Sequence, residues 1–365
     1  MAVSTGLRSG LVASTELERL PAAAEPYAPP SVDSLRPVFL HGLWRSGSTY
    51  VWSRFRAAEG AHCYYEPLHD GLKRLTRARI ARDTPDAIQS NHHPALAQPY
   101  FAEFGPLIGG RGVRRYRRRF AYTRFAPAVD EHDAPLEAYV RQLVEHAQEQ
   151  GRTAVLGFNR TGLRVAWLKN RFTACNIHID RDPVDVFSSY LGQLQAGNYY
   201  YFVKWMQIIA GNPDYPPFRA ALPTFRRPRG LGALYANPKK FYRDVVDEAS
   251  LETLYTITFL AWAACALHAL EHCDLVIDIA RADVPRYGEA AAEAVRRQCG
   301  LAVDFDDMRA PTSPSPLRLA HQRLIERAVL GWFAGPDSQP LDRERIRSRL
   351  GELSPRRAEL LARVA

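Results

Sequence analysis

Short apolar runs alternate with longer amphipathic stretches along this chain, and their order predicts an α/β fold. "PVFLH" (37–41) is short, apolar and β-prone, while "TYVWSRFRAA" (49–58) behind it sets Val51 and Phe55 on one helical face. "AHCYYEP" (61–67) reads as a second strand that stops at Pro67. The alternation resumes with "TAVLGFN" (153–159, strand), "GLRVAWLKNRF" (162–172, helix), "CNIHID" (175–180, strand) and "PVDVFSSYLGQL" (183–194, helix). A βαβα run of this kind implies a parallel sheet. "DLVIDI" (274–279) predicts a further strand, followed by a helix near 288–299 and a helical C-terminal region.

The expected architecture is a three-layer α/β/α domain over residues 37–365 with a central, mostly parallel sheet. Two stretches interrupt the alternation and are expected as insertions: about 71–150, polar and arginine-rich with two or three helices, and 196–250, rich in Tyr, Phe, Pro and Gly. Residues 1–36, with their glutamates and prolines, are expected to form an N-terminal arm.

Composition narrows the function less than the fold. The chain has 365 residues, 46% hydrophobic and 24% charged, enough for a large core. Its 48 Lys and Arg against 39 Asp and Glu give a net +9, which favours anionic ligands, nucleic acid or an acidic surface without choosing among them. The five cysteines lie far apart with no C-x-x-C pair, so they read as buried, reduced thiols rather than a zinc site or disulfide framework. The most apolar run, 254–270, is shorter than the ~20 residues of a membrane span and contains His268, so a buried helix and a cytoplasmic protein are expected.

The chemistry concentrates in "HGLWRSGSTY" (41–50). The spacing G-x-x-x-x-G from Gly42 matches a phosphate-binding loop, but Ser48 and Thr49 stand where a nucleoside-triphosphatase carries Lys and then Ser or Thr. Strand, glycine loop and helix in that order aim backbone N–H groups and a helix N-terminus at one anion. Arg45 supplies the positive charge that the missing lysine would have carried. "IHIDRDPVDVFSSYL" is the second cluster: Pro183 suits a first helical turn with Asp182 as its N-cap, which leaves Arg181 at the strand's carboxyl end. Ser189 lies about 9 Å along that helix, within reach of an Arg181 side chain.

Together the two elements resemble the cofactor signature of sulfotransferases that use 3′-phosphoadenosine 5′-phosphosulfate (PAPS). "RSGST" (Arg45, Ser46, Gly47, Ser48, Thr49) looks like the family's 5′-phosphosulfate loop, running into Tyr50; "RDPVDVFSS" looks like its 3′-phosphate segment, with Arg181 and Ser189 as the contacts. "RSGSTYVWSRFRAAEGAHCYYEPLHDGL" is closest in style to carbohydrate sulfotransferases, in which the glutamate of the E-P pair is a candidate catalytic base; here that residue is Glu66. The resemblance implies a P-loop-like fold, PAPS as co-substrate, no metal, and a carbohydrate or other small-molecule acceptor, without nucleic acid or a membrane span.

Sulfuryl transfer is an in-line displacement at sulfur that needs a base, charge on the sulfuryl oxygens and a stabilised leaving phosphate. Arg45 and the N–H groups of residues 46–49 suit the second need. For the base, Glu66 is expected at the carboxyl edge of a strand beside the loop strand, where ligands of open α/β folds bind; His41, His62 and His69 compete. "RGVRRYRRRF" (111–120) reads as a solvated face or as a surface for an acidic polymer, and "GNYYYFVKWMQ" as acceptor pocket or core. Two other functions fit the residues less well: an ATP-dependent small-molecule kinase on the same loop, and a non-catalytic basic protein that binds nucleic acid.

Overall fold

A computed structural model describes residues 35–82, 98–225, 238–310, 314–335 and 341–365. The expected N-terminal arm lies outside the described residues, as do 83–97 and 226–237 of the two expected insertions. The strands are β1 (Val38–Gly42), β2 (Ala61–Tyr65), β3 (Ile108–Gly109), β4 (Gly112–Val113), β5 (Thr153–Phe158), β6 (Cys175–Asp180) and β7 (Leu275–Asp278). The main helices are α1 (Ser48–Ala57), α2 (Ala134–Gln148), α3 (Val165–Arg171), α4 (Pro183–Gln195), α5 (Tyr200–Ala210), α6 (Leu251–His272), α7 (Tyr287–Cys299), α8 (Leu319–Gly331) and α9 (Pro355–Leu361).

Five strands form one parallel sheet in the order β2-β5-β1-β6-β7, and β3 and β4 form a separate antiparallel ribbon. The register is continuous across the centre: Leu40 of β1 faces Gly157 on one side and Ile177 on the other. Because strand side chains alternate between faces, Val38 and Leu40 join one buried cluster with Val51, Trp52 and Phe55 of α1 and Val295 of α7. Phe39 joins another with Leu136, Tyr139 and Leu143 of α2 and Trp167 of α3. Helices thus cover both faces, as parallel sheets require.

The helix caps follow sequence chemistry. Asp182 caps α4 by accepting from the Val184 N–H at 2.8 Å, with Pro183 in the first turn, and Ser250 caps α6 through the Thr253 N–H. α3 is shorter than the predicted 162–172, because residues 161–164 make a turn closed by the Arg164 N–H on the Thr161 carbonyl. The boundaries of the insertions also shift. α2 packs on β5 as the crossover helix between β2 and β5, so the irregular segment ends before residue 134. The second interruption is helical: Pro216–Phe225 and Pro238–Asp247 both pack on α5, and α5 and Pro216–Phe225 lie against α6.

α6 corrects a length argument. The helix runs for 22 residues, long and apolar enough to span a membrane by length and composition, where the apolar run alone falls short. Its most apolar window is 89% buried inside the protein, against α4, α5 and α8. All five cysteines are free; four are buried, and the half-buried Cys299 meets Cys175 at 2.8 Å between sulfurs.

Candidate functional site

β1 is the central strand and the strand order reverses on either side of it, so the loop that leaves its carboxyl end opens at the sheet's switch point, where open α/β sheets bind ligands. The loop is tight. Ser46 N–H and Oγ both bond the Leu43 carbonyl, at 3.2 and 2.8 Å, and a Cβ on Gly42 would come within 2.9 Å of the Ser46 Oγ. Arg45 (φ 65°) and Gly47 (φ 86°) are left-handed, the kind of curl that can turn successive N–H groups toward one point, as anion-binding loops do. Gly47 is the N-cap of α1 and offers no side chain, and no acidic residue sits in that helix's first turn. The first-turn N–H groups therefore have no side-chain cap, an arrangement suited to an anion.

The second cluster closes on the first. Arg45 Nε donates to Ser189 Oγ at 2.9 Å, and Arg181 Nη1 donates to the Arg45 carbonyl at 2.8 Å. The sequence argument paired Arg181 with Ser189 along one helix; the structure places Arg45 between them instead. Burial disfavours the charge of Arg181, with neighbouring Arg45 adding to the effect, and its pKa is lowered despite Asp185 and Asp182 nearby. Two guanidinium groups this close favour an anion beside them. Ser48 Oγ leans toward the Leu43 carbonyl at 3.4 Å, Thr49 bonds the Tyr65 hydroxyl at 3.0 Å, and the Tyr50 hydroxyl turns away to Asp307 at 2.7 Å.

A cavity of about 330 Å³ opens beside the loop, lined by residues including Trp44, Arg45, Ser48, Thr49, Glu66 and Tyr200. Glu66 does not sit beside the loop strand as expected: β5 lies between β2 and β1. It reaches the same cavity because every strand of a parallel sheet ends at one edge. Glu66 has φ 40°, uncommon for a residue with a Cβ. Its carboxylate is 7% exposed as a residue and accepts from Arg160 Nη1 at 3.0 Å and Asn159 Nδ2 at 2.9 Å. Burial pushes its pKa up, but the Arg160 charge, His69 and the two hydrogen bonds outweigh burial and lower it, so Glu66 is ionised at neutral pH.

Behind Glu66 lies a polar network that the sequence reading missed. Arg160 is buried under the Trp44 ring (4.8 Å) and donates to the Tyr200 hydroxyl at 2.6 Å. Lys204 binds Asp70 at 3.2 Å and the Tyr122 hydroxyl, which also bonds Asp70. The signal for Asn159 and Arg160 was present in "FNRTG", polar residues placed directly after a strand at the ligand edge. Tyr200, Tyr201 and Lys204 come from "GNYYYFVKWMQ", whose helix serves both expected roles: Tyr200 and Tyr201 line the cavity, Lys204 lies against the Tyr200 ring, and Tyr201 also joins Phe202, Trp205 and Met206 in the core.

The histidines separate clearly. His41, expected as a second candidate base, is fully buried in β1 with its ring nitrogens on Thr161 (2.7 Å) and Asn176 (3.1 Å). Burial lowers its pKa to about 4, and it is absent from the cavity wall. His62 lies at the start of β2 against His146, its pKa likewise lowered to about 4 by burial. His69 does line the cavity, but its Nδ1 accepts the Gly71 N–H at 3.0 Å, which puts the proton of the neutral ring on Nε2 and makes it a donor. Asp180, at the carboxyl end of the strand next to β1, is buried in contact with Arg357, which also holds Asp278, and accepts from Trp262 at 2.9 Å.

No family model, curated protein or solved structure matches the chain.

Proposed function

We propose that the chain is a PAPS-dependent sulfotransferase on a P-loop-like scaffold, moving a sulfuryl group to the hydroxyl of a carbohydrate or other small-molecule acceptor and releasing adenosine 3′,5′-bisphosphate. One observation carries the reading: the loop Arg45–Thr49 and the segment Arg181–Ser189, about 140 residues apart in sequence, meet through the Arg45–Ser189 hydrogen bond and the Arg181–Arg45 contact. A shared anionic ligand explains why two cationic side chains are held together at the mouth of a helix N-terminus. The 2-3-1-4-5 order of the five sheet strands, counted along the chain, and the position of the loop after the central strand support the P-loop-like assignment.

In this reading the acceptor hydroxyl enters the 330 Å³ cavity beside Glu66. A bond forms from the acceptor oxygen to sulfur as the bond from sulfur to the phosphate oxygen breaks, and Glu66 takes the acceptor's proton. Arg160 and Asn159 hold the carboxylate ionised and fix its direction. Arg45 and the first-turn N–H groups of α1 stabilise charge on the sulfuryl and leaving oxygens. A magnesium-dependent kinase gains less support, since Asp180 beside the loop strand is already neutralised by Arg357 and Ser48 replaces the lysine.

Calorimetry tests the reading. Adenosine 3′,5′-bisphosphate should bind more tightly than AMP and than ATP with magnesium. Arg181→Ala should weaken the bisphosphate by at least ~2 kcal/mol, the scale of a charge-assisted contact, and leave AMP unchanged. Equal weakening of both nucleotides would remove Arg181 from the 3′-phosphate, and preference for ATP would favour the kinase.

A further inference from the structure

The wall of the cavity is continuous with a module of unusual charge. Between Gly71 and Val129 the one carboxylate among the described residues is Glu103, and it is held by Arg56 at 2.7 Å. The same span carries five exposed cations between Lys73 and Arg82 and five more between Arg111 and Arg118. None of these ten is in an ion pair among the described residues, in contrast to Arg119 and Arg124, which pair with Asp133. Mutual repulsion among so many cations opposes folding, so a partner of opposite charge gains the more by binding there.

Packing brings together the segments that carry these exposed cations. The turn Asp70–Arg74 touches both β4 and the turn Arg118–Ala121, and the short helix Arg77–Arg82 packs on Ala102–Leu107. The surface reaches the cavity at two points. Arg79 is itself a lining residue. Arg118 lies over the Tyr122 ring at 5.8 Å, and Lys204 spans the Tyr122 and Tyr200 rings, the latter in the cavity wall.

We infer that this module is the docking surface for the acceptor and that the acceptor is an acidic polysaccharide, one sugar of which occupies the cavity while its neighbours lie on the arginines. The inference rests on the proposed sulfotransferase reading. Two features favour a polysaccharide over nucleic acid. Tyr116 and Phe120, the aromatics interleaved with the arginines, are 3% and 1% exposed, so the run offers charge without a platform on which bases could stack. The cavity, by contrast, keeps two of its lining rings, Tyr65 and Tyr200, partly exposed and able to meet the face of a sugar, and its Asn159 Oδ1 and Trp44 Nε1 are buried without a hydrogen-bond partner.

The 365-residue chain is titrated with heparin as the acidic polysaccharide, dextran as the uncharged one and duplex DNA, with adenosine 3′,5′-bisphosphate measured alongside. Heparin should bind, dextran should not, and DNA should bind at least tenfold more weakly than heparin. The triple reversal Arg114→Glu, Arg115→Glu and Arg117→Glu should weaken heparin tenfold or more with the bisphosphate unchanged. Reversing three exposed arginines elsewhere, Arg323→Glu, Arg343→Glu and Arg347→Glu, should cost less than threefold. Equal losses in the two triple variants would reduce the effect to net charge and overturn the inference, as would tighter binding of DNA. Bisphosphate binding without heparin preference strikes this inference alone; heparin binding without bisphosphate binding strikes the proposed function and the acceptor role with it.

Discussion

Glu66 combines three costs that a purely structural carboxylate could avoid: burial, a left-handed backbone and a buried arginine beside it. Backbone strain of this kind costs of order 1–3 kcal/mol and persists where the surroundings enforce it. Glu66→Gln preserves shape but cannot accept a proton, so turnover should fall ~10²-fold or more. It also removes the nearer of two carboxylates beside buried Arg160, leaving Asp70 at 4.0 Å, which should cost about 3 kcal/mol in a denaturant melt. Unchanged bisphosphate affinity at a temperature where both proteins are folded separates the two effects; full turnover would remove Glu66 as the base. His41 offers the opposite case, a buried neutral group. Its folded pKa of about 4 lies below the unfolded value near 6.5, so the unfolded chain takes up a proton first as pH falls and stability drops through that window. His41→Gln keeps polar partners for Thr161 and Asn176 without titrating. The stability advantage of the parent over the variant should therefore shrink by up to about 3 kcal/mol between pH 6.5 and 4, readable in urea melts at each pH.

α6 shows what an element gains from its neighbours. Leu254–Leu270 is a run of buried residues with no polar face, except for Thr256, which is partly exposed, and alanines at 261, 263, 264, 266 and 269 let surrounding helices approach closely. Ala264 is fully buried, so Ala264→Leu should overpack the contact and cost about 1–3 kcal/mol in a urea melt. A lipid-facing helix would accept the same change at no cost. The sequence showed that the segment was apolar and placed its core correctly, but the helix extends beyond the apolar run because Ser250 caps one end and the last turn ends in polar His272, signals unrelated to hydropathy. α2 was harder to read: its apolar face is clear, yet only its packing on β5 makes it a crossover helix rather than part of an insertion.

For the whole molecule, the sequence by itself determined the five strands of the main sheet, several helices and the two segments proposed to bind an anion, because each rests on local chemistry. Short apolar runs select strands, Asp182 and Pro183 start a helix, and Gly42 and Gly47 permit a loop that other residues would block. The charge of the arginine run was equally plain. Only the tertiary structure decided which strand lies next to which, and that choice separated β2 from β1, set Asn159 and Arg160 at Glu66, and locked Asp180 to Arg357 from the far C-terminal helix α9. It also took His41 into the interior and brought Cys175 and Cys299 together. The reason is that side-chain pairs far apart in sequence depend on strand order and helix packing, which many sequences with the same local pattern could satisfy differently, whereas periodicity, caps and turns are fixed within a few residues.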